Sequence, residues 1–108
     1  MVAKSRMEKL RPPYDLKAIK QSCDSVDRFS ITISALRSAS MLGFDRSGIV
    51  ETIRAITPRM FNKSMTTYAD HRVWQDVYHA DTPGGRAYIK LTLRTNGALV
   101  IQFKELGS

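Results

Sequence analysis

The sequence predicts an α+β fold: helices first, then an antiparallel β-sheet ending in a four-strand meander, with two or three N-terminal helices packed on one face. Three observations carry this. Apolar residues recur at helical spacing up to Pro58, and from Lys63 onward the period becomes two. The strand-like segments are joined by connections so short that neighbours must run antiparallel. Helices preceding strands, instead of alternating with them, separate the class from parallel α/β folds.

Residues 1–13 read as a flexible basic arm ended by Pro12-Pro13. Asp15 caps a short helix that places Leu16, Ile19 and Cys23 on one face. Phe29 to Thr32 reads as a short strand. Thr32 or Ser34 then caps a second helix carrying Leu36, Ala39 and Met41 or Leu42 inward, and Gly43 suits its left-handed end. Asp45 or Ser47 starts a third helix with Ile49, Val50, Ile53 and Ile56 inward, stopped by Pro58.

Four strands follow: Lys63 to Tyr68, Val73 to His79, Arg86 to Arg94 and Ala98 to Lys104. They are joined through Asp70-His71, through Asp81-Thr82-Pro83-Gly84-Gly85 and through Asn96-Gly97. Asn-Gly between alternating segments is a strong hairpin signal.

A chain of 108 residues, 43% of them hydrophobic, builds one domain around one core, expected over residues 1–108. Lys and Arg number 17 against 10 Asp and Glu, a formal charge of +7. That surplus suits a polyanionic partner, nucleic acid or an acidic protein, with plain solubility as the competing reason. The single cysteine, Cys23, excludes an internal disulfide and reads as a buried hydrophobe. No stretch approaches the roughly 20 apolar residues of a membrane span, and Met1 to Arg11 lack a signal-peptide core, so a cytoplasmic protein is expected.

Alternation assigns side chains to faces. On the third strand Ala87, Ile89, Leu91 and Leu93 point inward, and Arg86, Tyr88, Lys90 and Thr92 outward. On the last strand Leu99, Ile101 and Phe103 are expected inward, opposed by Gln102 and Lys104. Gln75 shares a face with Val73 and Val77, which leaves Trp74, Asp76 and Tyr78 on the core side, where Asp76 needs a partner. The outer face therefore offers Lys63, Gln75, Tyr88 and Lys104, with Arg86 and Lys90 nearby, and its charges are all positive. Tyr68 and His71, close by in sequence, complete the expected RNA-binding set. Such a face suits a phosphodiester with bases splayed beside it.

RNA is cleavable without a metal because its 2′-hydroxyl is an internal nucleophile. The protein must align that oxygen, take its proton, neutralise the pentavalent phosphorane and protonate the leaving 5′-oxygen. Neighbouring cations lower the pKa values of lysine and tyrosine toward that task. No metal site is expected: there is no His-x-x-x-His, no cysteine pair and no acidic cluster, and Gly84-Gly85 lacks the lysine and helix of a phosphate loop. No cofactor is expected either.

Taken singly, each residue has an ordinary explanation. A strand tyrosine such as Tyr88 usually packs, Lys104 guards an edge strand, and Gln75 is a surface amide. His71 beside Asp70 reads as a turn residue or a neighbour of substrate, and His79 lies near the next turn.

The stretch Lys63-Ser64-Met65-Thr66-Thr67-Tyr68, then Asp70-His71, then Trp74-Gln75-Asp76-Val77-Tyr78, resembles the core of the MqsR toxins (motility quorum-sensing regulator). The likeness continues through Ala87-Tyr88-Ile89-Lys90 and Val100 to Glu105 and thins before Lys63. It implies a RelE-like fold and a metal-independent, sequence-preferring endoribonuclease of a toxin–antitoxin module. The matching catalytic positions are Lys63, Gln75, Tyr88 and Lys104. Lys63 and Lys104 would stabilise the phosphorane and move protons, Tyr88 would act as acid–base or orient substrate, and Gln75 would bond phosphate or base. The resemblance also implies an mRNA substrate and a cognate antitoxin, a DNA-binding dimer whose zinc-bearing N-terminal domain binds the toxin. The strand near Phe29 and the N-terminal helix are candidate docking surfaces. The loop from Asp81 to Gly85 departs from the family pattern and borders the site, so cut-site preference is expected to differ. The alternative function is a non-catalytic RNA- or DNA-binding module, or an acidic-protein binder, using the same face.

Overall fold

The structure, a computed structural model, describes residues 8–67, 70 and 72–106. Its elements in order are β1 (Glu8–Lys9), α1 (Leu16–Ser22), β2 (Phe29–Ile31), α2 (Ile33–Met41), α3 (Arg46–Arg54), β3 (Phe61–Thr66), β4 (Trp74–Thr82), β5 (Gly85–Arg94) and β6 (Gly97–Glu105). Three side chains start the helices by accepting backbone N–H bonds: Asp15 from Lys17, Thr32 from Ala35 and Asp45 from Gly48. Gly43 follows α2 with φ 87°, the left-handed conformation that glycine adopts without steric cost.

The expected meander forms the centre of a larger, six-stranded sheet of order β1-β3-β4-β5-β6-β2. β3 to β6 pair antiparallel in sequence, and β2 adds to the far edge parallel to β6, Phe29 opposite Ala98 and Ile31 opposite Val100. The other edge corrects the expectation of a flexible arm through Pro13. Glu8 and Lys9 pair antiparallel with Met65 and Ser64, because the outer edge of β3 otherwise presents unpaired N–H and C=O groups. The β4–β5 connection is also tighter than the 81–85 loop expected, with Thr82 and Gly85 already paired across it.

The helices cover one face, and the core lies between: Ile19, Ala35, Ala39, Ile49, Ile53 and Ile56 against Tyr78, Ile89, Leu91, Val100 and Phe103. Two inward assignments change. On α2 the buried pair is Ala35 and Ala39, small residues that let the helix approach the sheet, while Met41 is 88% exposed. On β6 a register shift opposite Lys90 and Leu91 makes Ile101 an extra residue, so Ala98, Val100 and Phe103 point to the core and Leu99 and Ile101 do not. The carbonyl of Ile101 accepts from the Thr32 hydroxyl at 2.9 Å, and Thr32 Oγ1 in turn accepts from Ala35 N–H, so the helix cap also satisfies the bulge.

At the β5–β6 turn, Gly97 has φ 122°, and a Cβ there would lie 1.9 Å from the carbonyl oxygen of Arg28. Nothing larger than glycine fits where the Val26–Arg28 turn crosses the hairpin.

Candidate active site

The face away from the helices is organised by strand register. One row across β4, β5 and β6 reads His79–Tyr88–Lys104. The next reads Lys63–Val77–Lys90–Gln102 across β3 to β6, and the one beyond it places Met65 opposite Gln75. Lys63, Gln75, Tyr88 and Lys104 thus share one face within three successive rows, with Lys90 between them and Arg86 one row beyond Tyr88. Tyr68 and His71, the other expected RNA-binding residues, lie outside the described residues.

The floor of this face is dry. Val77 is wholly buried although its register neighbours are Lys63 and Lys90, and Met65 is buried too. Long lysine stems close over such positions while their ammonium groups stay in water. Charges held above an apolar floor act through a lower effective dielectric than charges on a wet surface.

Tyr88 is the centre of the arrangement. The Lys104 Nζ lies 5.0 Å from its ring centroid on one side, and the His79 ring centroid lies 5.9 Å away on the other. Burial pushes the His79 imidazole below its ordinary value, and Arg86 and Lys63 add to the shift, so the ring is neutral at physiological pH. His79 is a site residue that sequence reasoning set aside as a turn neighbour. Its signal was the period of β4: it has the parity of Gln75 and Val77, two residues on.

The charges are not all positive, as the alternation alone suggested. Glu8, brought in by β1, pairs with Lys63 Nζ at 3.0 Å, and Asp81 lies 3.5 Å from the Arg86 guanidinium. Both acidic partners come from segments read as arm or loop.

Under the site, Asp76 is fully buried on the helix side, and its partner is a serine in place of the expected arginine or helix end. Ser64 Oγ lies 2.6 Å from Asp76 Oδ1 and 3.1 Å from the Gln75 carbonyl oxygen. Ser64 follows Lys63, and Asp76 follows Gln75, so this buried link fixes β3 against β4 between two site residues. Burial raises the Asp76 pKa against the opposing pull of the Ser64 hydroxyl and the Tyr14 backbone N–H.

The comparisons with known proteins fit this geometry. The family model of the motility quorum-sensing regulator, toxin of MqsA, matches residues 11–105. The chain is also similar to the mRNA interferase toxin MqsR of Escherichia coli strain K12, 38% identical over 99 residues, which cover 92% of this chain and 99% of that protein. A match of that extent takes in every strand of the meander and all four candidate catalytic positions, and the chain belongs to the MqsR toxin family.

Proposed function

We propose that this protein is a metal-independent endoribonuclease that cuts mRNA on the outer sheet face and is held inactive by a cognate antitoxin. The single observation that carries the reading is the row His79–Tyr88–Lys104 lying beside Lys63 and Lys90 over a dry floor. Family membership supports it: the matched model describes a toxin of MqsA, and the similar protein is named an mRNA interferase toxin.

In the proposed reaction the ribose 2′-oxygen attacks the adjacent phosphorus, the P–O5′ bond breaks, and the products are a 2′,3′-cyclic phosphate and a 5′-hydroxyl. The 2′-proton leaves to a base and the 5′-oxygen gains a proton, so no external reactant is consumed. Lys104, beside Tyr88, and Lys63, in the next row of the same face, stabilise the negative charge that builds on the phosphorane. Tyr88 moves a proton or orients the substrate, and the Gln75 amide bonds phosphate or base. Arg86 and Lys90, with Tyr68 and His71, hold the neighbouring RNA. The antitoxin is read as a DNA-binding dimer, and the site of action as the cytoplasm. No helix among the described residues is long and apolar enough to cross a membrane.

The test is incubation of antitoxin-free protein with end-labelled mRNA in excess EDTA, with Lys63→Ala as control. Cuts ending in 2′,3′-cyclic phosphate, absent with the variant, support the enzyme. Intact RNA from a folded sample supports the binding module instead.

A further inference from the structure

A cleft of about 560 Å³ opens beside the row of Tyr88, walled by Arg59, Phe61, Asn62, His79, Asp81 and Arg86. Its size falls within the roughly 300–1,000 Å³ of small-ligand clefts, and its polar lining suits a nucleotide better than an apolar ligand. Three features tie it to the candidate catalytic residues. The register of β3 against β4 shifts between Phe61 and Lys63, so Asn62 has no partner in that ladder and stands exposed, next in sequence to Lys63. Bulges of this kind re-aim a side chain beside an active site. His79 belongs at once to the cleft wall and to the ring pair with Tyr88. Asp81 and Arg86 face each other at the cleft, placing a carboxylate and a guanidinium 3.5 Å apart.

The lining carries two kinds of group. A phosphate is repelled by Asp81 and attracted by the arginines. A base bearing an exocyclic amine can donate to the Asp81 carboxylate and pair with the Asn62 amide, which both donates and accepts. A neutral imidazole offers a flat face for stacking without competing for the phosphate.

Resting on the ribonuclease reading above, we propose that this cleft is the specificity subsite for one base flanking the scissile phosphate. Asn62 and Asp81 read its edge, His79 stacks on it, and Arg59 with Arg86 holds the adjoining phosphate. The occupant is a base with an exocyclic amine, adenine, cytosine or guanine, and uracil is disfavoured because its carbonyls meet the Asp81 carboxylate.

The experiment is cleavage of an RNA pool randomised on both sides of one cut, read by sequencing, for the parent, Asn62→Ala, Asp81→Asn and His79→Phe. The parent is expected to disfavour uracil at one flanking position by roughly ten-fold, the scale of a lost base-edge contact. Asn62→Ala and Asp81→Asn flatten that preference, and His79→Phe, which keeps a stacking ring, retains it. A parent that tolerates uracil at every flanking position, or Asn62→Ala and Asp81→Asn variants that keep its preference, overturn the subsite and leave the ribonuclease standing. A parent that cuts nothing removes the ribonuclease reading. The subsite is then decided by NMR titration with a short 2′-O-methyl RNA. Shifts of the Asn62 side-chain amide and the His79 ring, stronger for adenine-containing than for all-uracil strands, sustain it, and their absence overturns it.

Discussion

Glu8 Oε2 and Lys63 Nζ meet at 3.0 Å, joining the outermost strand of the sheet to a candidate catalytic lysine 55 residues away. If Lys63 holds a substrate phosphate as proposed, the Glu8 carboxylate competes with that phosphate for the same ammonium group.

Glu8→Gln should therefore strengthen RNA binding by a few-fold and raise kcat/KM at low substrate, with the larger gain at low salt. The pair is half-exposed, so its loss should change stability by only about 0–1 kcal/mol. Filter binding and cleavage at two salt concentrations check this. Binding weakened by the substitution would show that Glu8 orients Lys63 productively.

Tyr88→Phe separates catalysis from affinity. The ring keeps its place between His79 and Lys104, and only the hydroxyl is lost. A group that moves a proton in the transition state should cost at least ~100-fold in cleavage, with RNA affinity changed by less than about three-fold. Single-turnover rates and direct binding distinguish this from a packing tyrosine, for which both values stay near those of the parent. Lys104→Ala should lower both, because its ammonium lies on the same ring and also attracts phosphate.

That Lys63, Gln75, Tyr88 and Lys104 share a face is legible in the sequence, because strand alternation and short connections fix which side chains point the same way. Tyr88 and Lys104 share the outer face by that alternation, but they stand directly opposite each other only because the extra residue at Ile101 shifts the hairpin register by one. What escaped were the features that break periodicity. The extra residue at Ile101 reverses the parity of β6 over Ala98 to Val100, and the shift at Asn62 opens the cleft. A two-residue strand such as Glu8–Lys9 carries no period at all, because the vacant edge of β3 and not its own sequence selects it. Glu8 lies in that strand, whereas Asp81 belongs to the end of β4, two residues past His79 and on its face, in a stretch whose sequence reads as a loop.

Gly97→Ala tests whether the turn is as constrained as the register implies. The methyl would meet the Arg28 carbonyl at 1.9 Å, in a backbone conformation that L-residues rarely adopt. Both penalties fall on one position, so destabilisation of about 2–4 kcal/mol is expected by urea titration. The β2–β6 edge should loosen first, visible as faster amide exchange in Phe29–Ile31, which pairs beside this turn.

The buried pair of Ser64 and Asp76 makes a prediction about pH. Ser64 has one hydroxyl proton and two acceptors, the Gln75 carbonyl and Asp76 Oδ1. A protonated Asp76 resolves the conflict by donating to Ser64 Oγ, which then donates to Gln75. Among the described residues Asp76 Oδ2 has no well-formed hydrogen bond, a cost that is heavier for a carboxylate than for a neutral acid. The folded-state pKa is thus raised above the unfolded value near 4, and the sign follows. The contribution of Asp76 to stability is fully present below the unfolded pKa and is lost as pH rises through the folded one. Asp76→Asn cannot ionise, so its stability relative to the parent should rise between acidic and neutral pH, as the parent's carboxyl ionises. Paired urea titrations from pH 4 to 8 measure the difference and cancel the opposite contribution of His79, whose lowered pKa stabilises the fold as pH rises. A difference that stays flat across that range would place the carboxylate in its charged form throughout, with a compensating donor at Oδ2.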